Sequence, residues 1–349
     1  MLTRTYTLRF TTPAFLGNAE QDGQWRAPPV KALLRQWWRV AYASGLSGRV
    51  NVAAMRAAEG SLFGVAADRD GESHKSLVRM RLSRWDKGNL SSWAAVDSDR
   101  VPHPEVKAPV GAQLYLGYGP LKLSQGQTAL KARAAIQAGE IATLQLAYPS
   151  GTEGVRLDTA LWLMQHYGTL GGRSRNGWGS FSLTPADGGT PSLGGALADA
   201  LIRDWRDALA LDWPHAVGSS DGKPLIWQTD ALPDWKAVMR QLAVLKIGLR
   251  TQFVIPDVRP PHPRPLPRHW LSYPITHHDT SAWDRYSRLP NSLRFKVRET
   301  GSGQLRGVIF HLPCKPPPGF KPEMDVIKSV WLKVHQYLDD AADLQRATA

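Results

Sequence analysis

The 349-residue sequence predicts an α+β fold divided into two domains. Three observations predict it. The length exceeds that of one average domain. Both halves mix segments of period-two alternation with segments that carry one helical apolar face. A turn-rich stretch at 184–191, holding two prolines and two glycines, separates them and sets domains at 1–185 and 186–349. Apolar residues make up 42% and charged residues 21%, which excludes a disordered, collagenous or coiled-coil chain. No apolar run reaches the ~18 residues of a membrane span. Cys314 is the single cysteine, so no internal disulfide and no cysteine-based zinc cluster can form. The first residues alternate like a strand instead of carrying a signal peptide's apolar stretch, so the expected location is the cytoplasm.

In chain order, Tyr6, Leu8 and Phe10 alternate with polar residues and predict a strand over 4–11. Pro28 and Pro29 suit a first helical turn. The apolar residues at 30, 33, 34, 37 and 41 then share one helical face. Residues 77–82 alternate, with Arg79 and Arg81 outward, and 85–109 reads as a long polar loop. Strands are expected at 110–118 and 140–148, a helix at 154–168, and a short strand near 178–183 beyond a glycine-rich turn. The second half predicts helices at about 195–211 and 233–249, and a stiff, extended proline-rich segment at 256–267. A hairpin over 292–298 and 305–312 follows, and a helix over about 323–345 ends the chain.

Charge points to the class of partner. Lys and Arg total 43 against 30 Asp and Glu, a formal net charge of +13. Such an excess implies a polyanion: nucleic acid, an acidic protein or a membrane surface. Residues 1–185 carry 22 bases and 13 acids, against 21 and 17 in 186–349, so the first half is the expected polyanion surface. The 14 tryptophans can stack on bases, although core packing is the ordinary use of any one.

Two segments concentrate this chemistry. Lys31, Arg35 and Arg39 lie four apart on the first helix, share a face and follow Arg26, with no acid between 26 and 39. Like charges at that spacing repel by about a few tenths of a kcal/mol per pair, which a phosphate backbone or acids elsewhere in the fold would offset. Trp38 falls beside this face and Trp37 on the apolar one. The second segment is Gly168-Thr169-Leu170-Gly171-Gly172-Arg173-Ser174-Arg175-Asn176-Gly177-Trp178-Gly179. Its glycines permit positive φ and close backbone approach, and successive N–H groups can form an anion nest. Arg173 and Arg175 add planar donor forks suited to phosphate, and Ser174 and Asn176 add neutral hydrogen-bonding groups. The ending of a nucleotide P-loop is missing, and a helix rather than a strand precedes the loop.

Together these segments resemble the RAMP superfamily of CRISPR proteins, most closely the first subunit of the Cmr (type III-B) RNA-guided effector complex. The likeness rests on Thr12-Pro13-Ala14-Phe15-Leu16-Gly17, the Arg26-to-Arg39 helix, Glu59 before Leu62-Phe63-Gly64, the loop from Gly171 to Gly179, and Ser292-Leu293-Arg294-Phe295-Lys296 with Val308-Ile309-Phe310-His311-Leu312-Pro313. Asn18 stands where a second glycine is common and Ala32 where glycine is usual. The resemblance implies two ferredoxin-like (RRM-like) domains. It also implies a non-catalytic subunit that binds CRISPR guide RNA at its 3′-proximal part, or the guide–target RNA duplex there, and touches a neighbouring RAMP subunit. RNA contacts are expected at Arg26, Lys31, Arg35, Trp38, Arg39, Gly171, Gly172, Arg173, Ser174, Arg175 and Asn176, with no metal, cofactor or membrane.

The rival reading is a RAMP-type endoribonuclease that processes CRISPR RNA with a histidine base. Ten histidines leave it open, and His103, His166, His277 and His278 are its candidates. Glu59 is expected to anchor structure or pair with a helix arginine. A sequence-specific DNA regulator would need a helix-turn-helix or similar reader, which neither segment resembles.

Overall fold

The computed structural model describes residues 1–46, 49–66, 73–93, 99–186, 197–284 and 286–347. Strand β1 (Leu2–Phe10) leads to helix α1 (Ala27–Ala43), with prolines in its first turn, and α2 (Val52–Phe63). Then come β2 (Arg79–Leu82), the pair β3 (Arg100–Val101) and β4 (Val110–Gly111), and the short helix α3 (Ala112–Gly117). A hairpin of β5 (Leu121–Ser124) and β6 (Gln127–Leu130) precedes β7 (Ile141–Tyr148), α4 (Thr152–Tyr167) and β8 (Phe181–Pro185). The first sheet runs β2-β7-β1-β8, with every neighbouring pair antiparallel. Tyr6, Leu8 and Phe10 point inward beneath α1 and α4, as their alternation requires.

A small sheet follows, of β9 (Ile202–Asp204), β10 (Val217–Ser220) and β11 (Lys223–Pro224), with the one-turn helix α5 (Trp205–Ala208) between its first two strands. The last sheet is built from β12 (Ile226–Thr229), α6 (Trp235–Thr251), β13 (Leu293–Glu299), β14 (Leu305–His311), α7 (Met324–Asp339) and β15 (Leu344–Arg346). Its order, β13-β14-β12-β15, is again antiparallel throughout. In both large sheets the strands that border the helices follow a β-α-β-β-α-β path in spatial order 2-3-1-4. The fold is α+β, and both large sheets are antiparallel.

The two cores cross the middle of the sequence. One joins Trp37 and Tyr167 to Val308, Phe310 and Ile226, and the other joins Leu116 and Trp178 to Leu242, Phe295 and Ile309. Lys296 fastens the same junction. It is fully buried, and its Nζ donates to the Gly168 carbonyl at 2.8 Å and the Phe181 carbonyl at 3.0 Å. Most of the turn expected to divide the domains, residues 187–191, lies outside the described residues.

Four expected elements differ. Residues 112–117 are helical, because Ala112 and Leu116, four apart, face the α6 core together. Within the described part of the helix expected over 195–211, a 3-10 turn (Asp199–Leu201) runs into β9 and α5: Ile202–Asp204 pairs in parallel with Val217–Ser219, and the Asp204 carboxylate caps a restarted helix at Arg206 N. The last helix stops at Asp339, and Leu344–Arg346 becomes an edge strand on β12. The proline-rich segment is no continuous polyproline helix. Its Pro260–Pro261 peptide is cis, and buried His262 bridges to Thr280.

Candidate nucleic-acid interface

The glycine-rich loop connects α4 to β8 and is seated by backbone contacts. Gly172 N donates to Phe15 O at 2.9 Å and Gly179 N to Pro13 O at 2.8 Å, so the Thr12–Gly17 turn carries the loop. Thr12 Oγ1 donates to Gly177 O and accepts from Ser180 N. Gly171, Gly177 and Gly179 adopt positive φ, and so does Arg173 at +56°. Gly172 does not. A Cβ on Gly179 would lie 1.8 Å from Leu170 O, so glycine is required there.

The loop's open side forms one wall of a groove of about 1130 Å³. The exposed positions Ala32 and Gln36 of α1, α3 residues including Tyr115, the C-terminal half of α6, and residues 272–276 and 288–291 complete it. Six cations line it: Arg173, Arg175, Lys246, Arg250, Arg288 and Arg294. Among the described residues its lining holds no aspartate or glutamate. Burial lowers the pKa of Lys246 well below its ordinary value, and Arg250 and Arg173 add to the effect. Burial first and Arg250 second lower Arg173, and burial and Arg175 lower Arg294. A guanidinium stays protonated, so this pressure persists as electrostatic strain that an incoming anion relieves.

The expected contacts divide into two groups. Gly171, Arg173, Ser174, Arg175 and Asn176 line the groove, while Gly172 faces Phe15 and Pro120. Asn176 is also committed to the fold: its Nδ2 donates to Leu116 O at 2.7 Å, and its Oδ1 accepts from Lys246 Nζ. The α1 stripe turns elsewhere. Lys31 donates to Ser76 Oγ at 2.8 Å and Arg26 to Gly17 O at 2.8 Å. Arg35 and Arg39 both bind Glu59, whose carboxylate is almost wholly buried. Burial alone would raise the Glu59 pKa, but the hydrogen bonds from Arg35 and Arg39 outweigh it and hold the carboxyl low. The stripe is therefore compensated from α2. Trp38 corrects a further expectation: it is 0% exposed and donates to Glu153 Oε2 at 3.1 Å, so it offers no face to a base. Trp37 is buried as well.

Four of the groove's basic residues, Lys246, Arg250, Arg288 and Arg294, are not among the contacts the sequence predicts. A signal for the first two lies in the sequence: the 17 residues of α6 contain no acid, and Lys246 and Arg250 are four apart. Arg288 sits in an irregular loop and Arg294 in a strand, and neither carries a local signal.

No histidine is among the described residues that line the groove, although His103 packs edge-on against the lining residue Tyr115 and His277 follows the lining residue Thr276. His166 stacks on Trp162, bonds to that residue's carbonyl, and is held by burial at a pKa of about 4. His311 and His335 form a buried hydrogen-bonded pair at 2.9 Å. Among the described residues no group of three or more His, Cys, Asp or Glu is placed to hold a metal. Among them, too, no helix is long and apolar enough to cross a membrane.

No family model and no curated protein sequence matches the chain. Solved structures do. A chain of the type III-B Cmr-beta complex bound to cognate target RNA and AMPPnP, in the presence of single-stranded DNA, aligns over 96% of this chain and 99% of its own, with 11% identity and a TM-score of 0.50. The chain shares that fold. The same complex with cognate target RNA gives 12% identity, coverage of 95% and 99%, and a TM-score of 0.48. Apo Cmr1 of Pyrococcus furiosus gives 14% identity, coverage of 96% and 97%, and a TM-score of 0.45.

Proposed function

We propose that this chain is a RAMP-superfamily subunit of a type III-B CRISPR effector complex that holds RNA without cutting it. It contacts the 3′-proximal part of the guide, or the guide–target duplex there, and a neighbouring RAMP subunit. The observation that carries the proposal is the acid-free cationic groove built on the glycine-rich loop. A groove lined by six cations focuses a positive potential that suits a phosphate backbone. The Cmr-beta chain with the same fold belongs to a complex bound to target RNA, which favours RNA over other polyanions. The repeated β-α-β-β-α-β path supports two ferredoxin-like domains.

The test is binding of guide-repeat RNA by anisotropy across a salt series, with denaturing gels run with and without divalent metal. Arg173→Ala with Arg175→Ala should weaken binding and flatten the log–log salt slope by about 0.7 for each phosphate left without its cation. Unchanged affinity and slope in a folded double variant would refute the site. Discrete cleavage by the wild type, abolished in His166→Ala or in His277→Ala with His278→Ala, would establish the processing nuclease instead.

A further inference from the structure

We infer that the groove is a single-strand clamp: it seats three to four nucleotides of unpaired RNA and rejects a duplex. This rests on the RNA-holding function proposed above and specifies which form of RNA the site takes.

Size gives the first argument. A ribonucleotide fills on the order of 300 Å³, so a groove of about 1130 Å³ holds three to four of them. The second is where the unused donors sit. Arg250 Nε and Arg294 Nε are shielded from solvent and, among the described residues, have no hydrogen-bond partner. An unpaired buried donor is costly, and more so on a charged group, so donors of this kind in a groove wall fit a ligand that enters the groove. A duplex carries its phosphates on the outside of a broad cylinder, whereas a single strand can thread between the walls.

The third argument concerns α3, which packs beside the cations. Tyr115 lines the groove, and its hydroxyl is also shielded and, among the described residues, unpartnered. A duplex has its base edges paired, but an unpaired base or a 2′-hydroxyl offers this oxygen a partner. Tyr118, more than half exposed, adds a ring on which a base can stack. Arg173 Nε donates to the Tyr118 carbonyl, so cations and tyrosines stand side by side and suit the adjacent phosphates and bases of a single strand. An acidic peptide would engage the cations alone.

The experiment titrates full-length protein with oligouridylates of one to twelve nucleotides, a twelve-base-pair RNA duplex, and a polyglutamate peptide of matched charge. Affinity should climb steeply to four nucleotides and then flatten, with the duplex and the peptide each at least tenfold weaker than the single-stranded twelve-mer. Arg250→Gln with Arg294→Gln should flatten the salt slope by about 1.4, two phosphates at 0.7 each. Tyr115→Phe, which keeps the ring, should reduce affinity for the four-mer severalfold with the salt slope unchanged. Equal binding of duplex and single strand, or affinity still climbing at twelve nucleotides, overturns the clamp while leaving the RNA-holding function in place. Equal displacement by polyglutamate overturns the assignment to RNA. Absence of binding to any oligonucleotide overturns both.

Discussion

Replacing Lys296 with methionine tests how the second half of the chain holds the glycine-rich loop. The lysine comes from β13, yet its ammonium binds the carbonyls of Gly168 and Phe181, the residues that bracket the loop, and lies 4.6 Å from the Phe181 ring centre. Methionine keeps the length and apolar stem but removes the donor. Two buried carbonyls are then left without a partner, at about 1–3 kcal/mol each. Relief of the desolvation that depresses the Lys296 pKa returns part of this. The net expectation is a stability decrease of about 2–4 kcal/mol, read as a lower urea midpoint with an unchanged slope. Because the broken bonds sit at both ends of the loop, RNA affinity should fall as well, even though Lys296 is wholly buried and cannot touch RNA. The reasoning fails if Lys296→Met raises the urea midpoint, or lowers it while RNA affinity stays at the wild-type value.

Glu59→Gln should lower stability by about 1–2 kcal/mol, since it weakens a buried carboxylate's bonds to half-exposed Arg35 and Arg39; unchanged RNA affinity in this variant would exclude the α1 stripe from the interface. Acid should destabilise the fold before the carboxylates titrate. The folded pKa values of His335, about 3, and His166, about 4, lie below the unfolded 6.5, so the unfolded chain binds the extra protons; stability is complete above pH 6.5, and each histidine costs up to about 2 kcal/mol by pH 5. A urea midpoint constant from pH 7.5 to 5 would contradict this. Valine scanning of the loop should lower the melting temperature most at Gly179, less at Gly171 and least at Gly172, following Cβ approaches of 1.8, 2.7 and 3.2 Å and the ordinary φ of Gly172.

The elements that sequence predicts well here are those whose pattern is satisfied within one segment. The α1 face at Val30, Leu33, Leu34 and Trp37 is buried as its spacing requires. Asp234, at the start of α6, accepts from Ala237 N, a cap recognisable from residue type alone. The misread segments depend on distant partners. Ala112 and Leu116 read equally as part of a strand until α6 is beneath them, and Leu344–Arg346 is a strand only because β12 has a free edge. Lys296 is the sharpest case. Alternation along β13 places it opposite Phe295 and Val297, on the side a half-buried hairpin leaves to water. That side is covered by the first half of the chain, so a position that reads as a solvated lysine becomes an internal pin.

The groove proposed above as the RNA site is one that net charge along the sequence misplaces. Residues 1–185 hold the larger excess, +9 against +4, yet four of the six groove cations come from the second half. Many of the first half's bases are answered by acids that folding brings to them: Glu59 takes Arg35 and Arg39, Asp22 takes Lys87 and Arg133, Glu140 takes Arg84, and Asp158 takes Arg4. Glu59, Asp22 and Glu140 are themselves buried, so each works at short range where screening is weak. What marks an anion site is the local absence of such acids rather than a surplus of bases. Acid-free α1 and acid-free α6 both carry that mark in sequence. Only α6 keeps it after folding, because α2 brings Glu59 to the cationic face of α1, whereas the face of α6 with Lys246 and Arg250 meets Arg173 and Asn176.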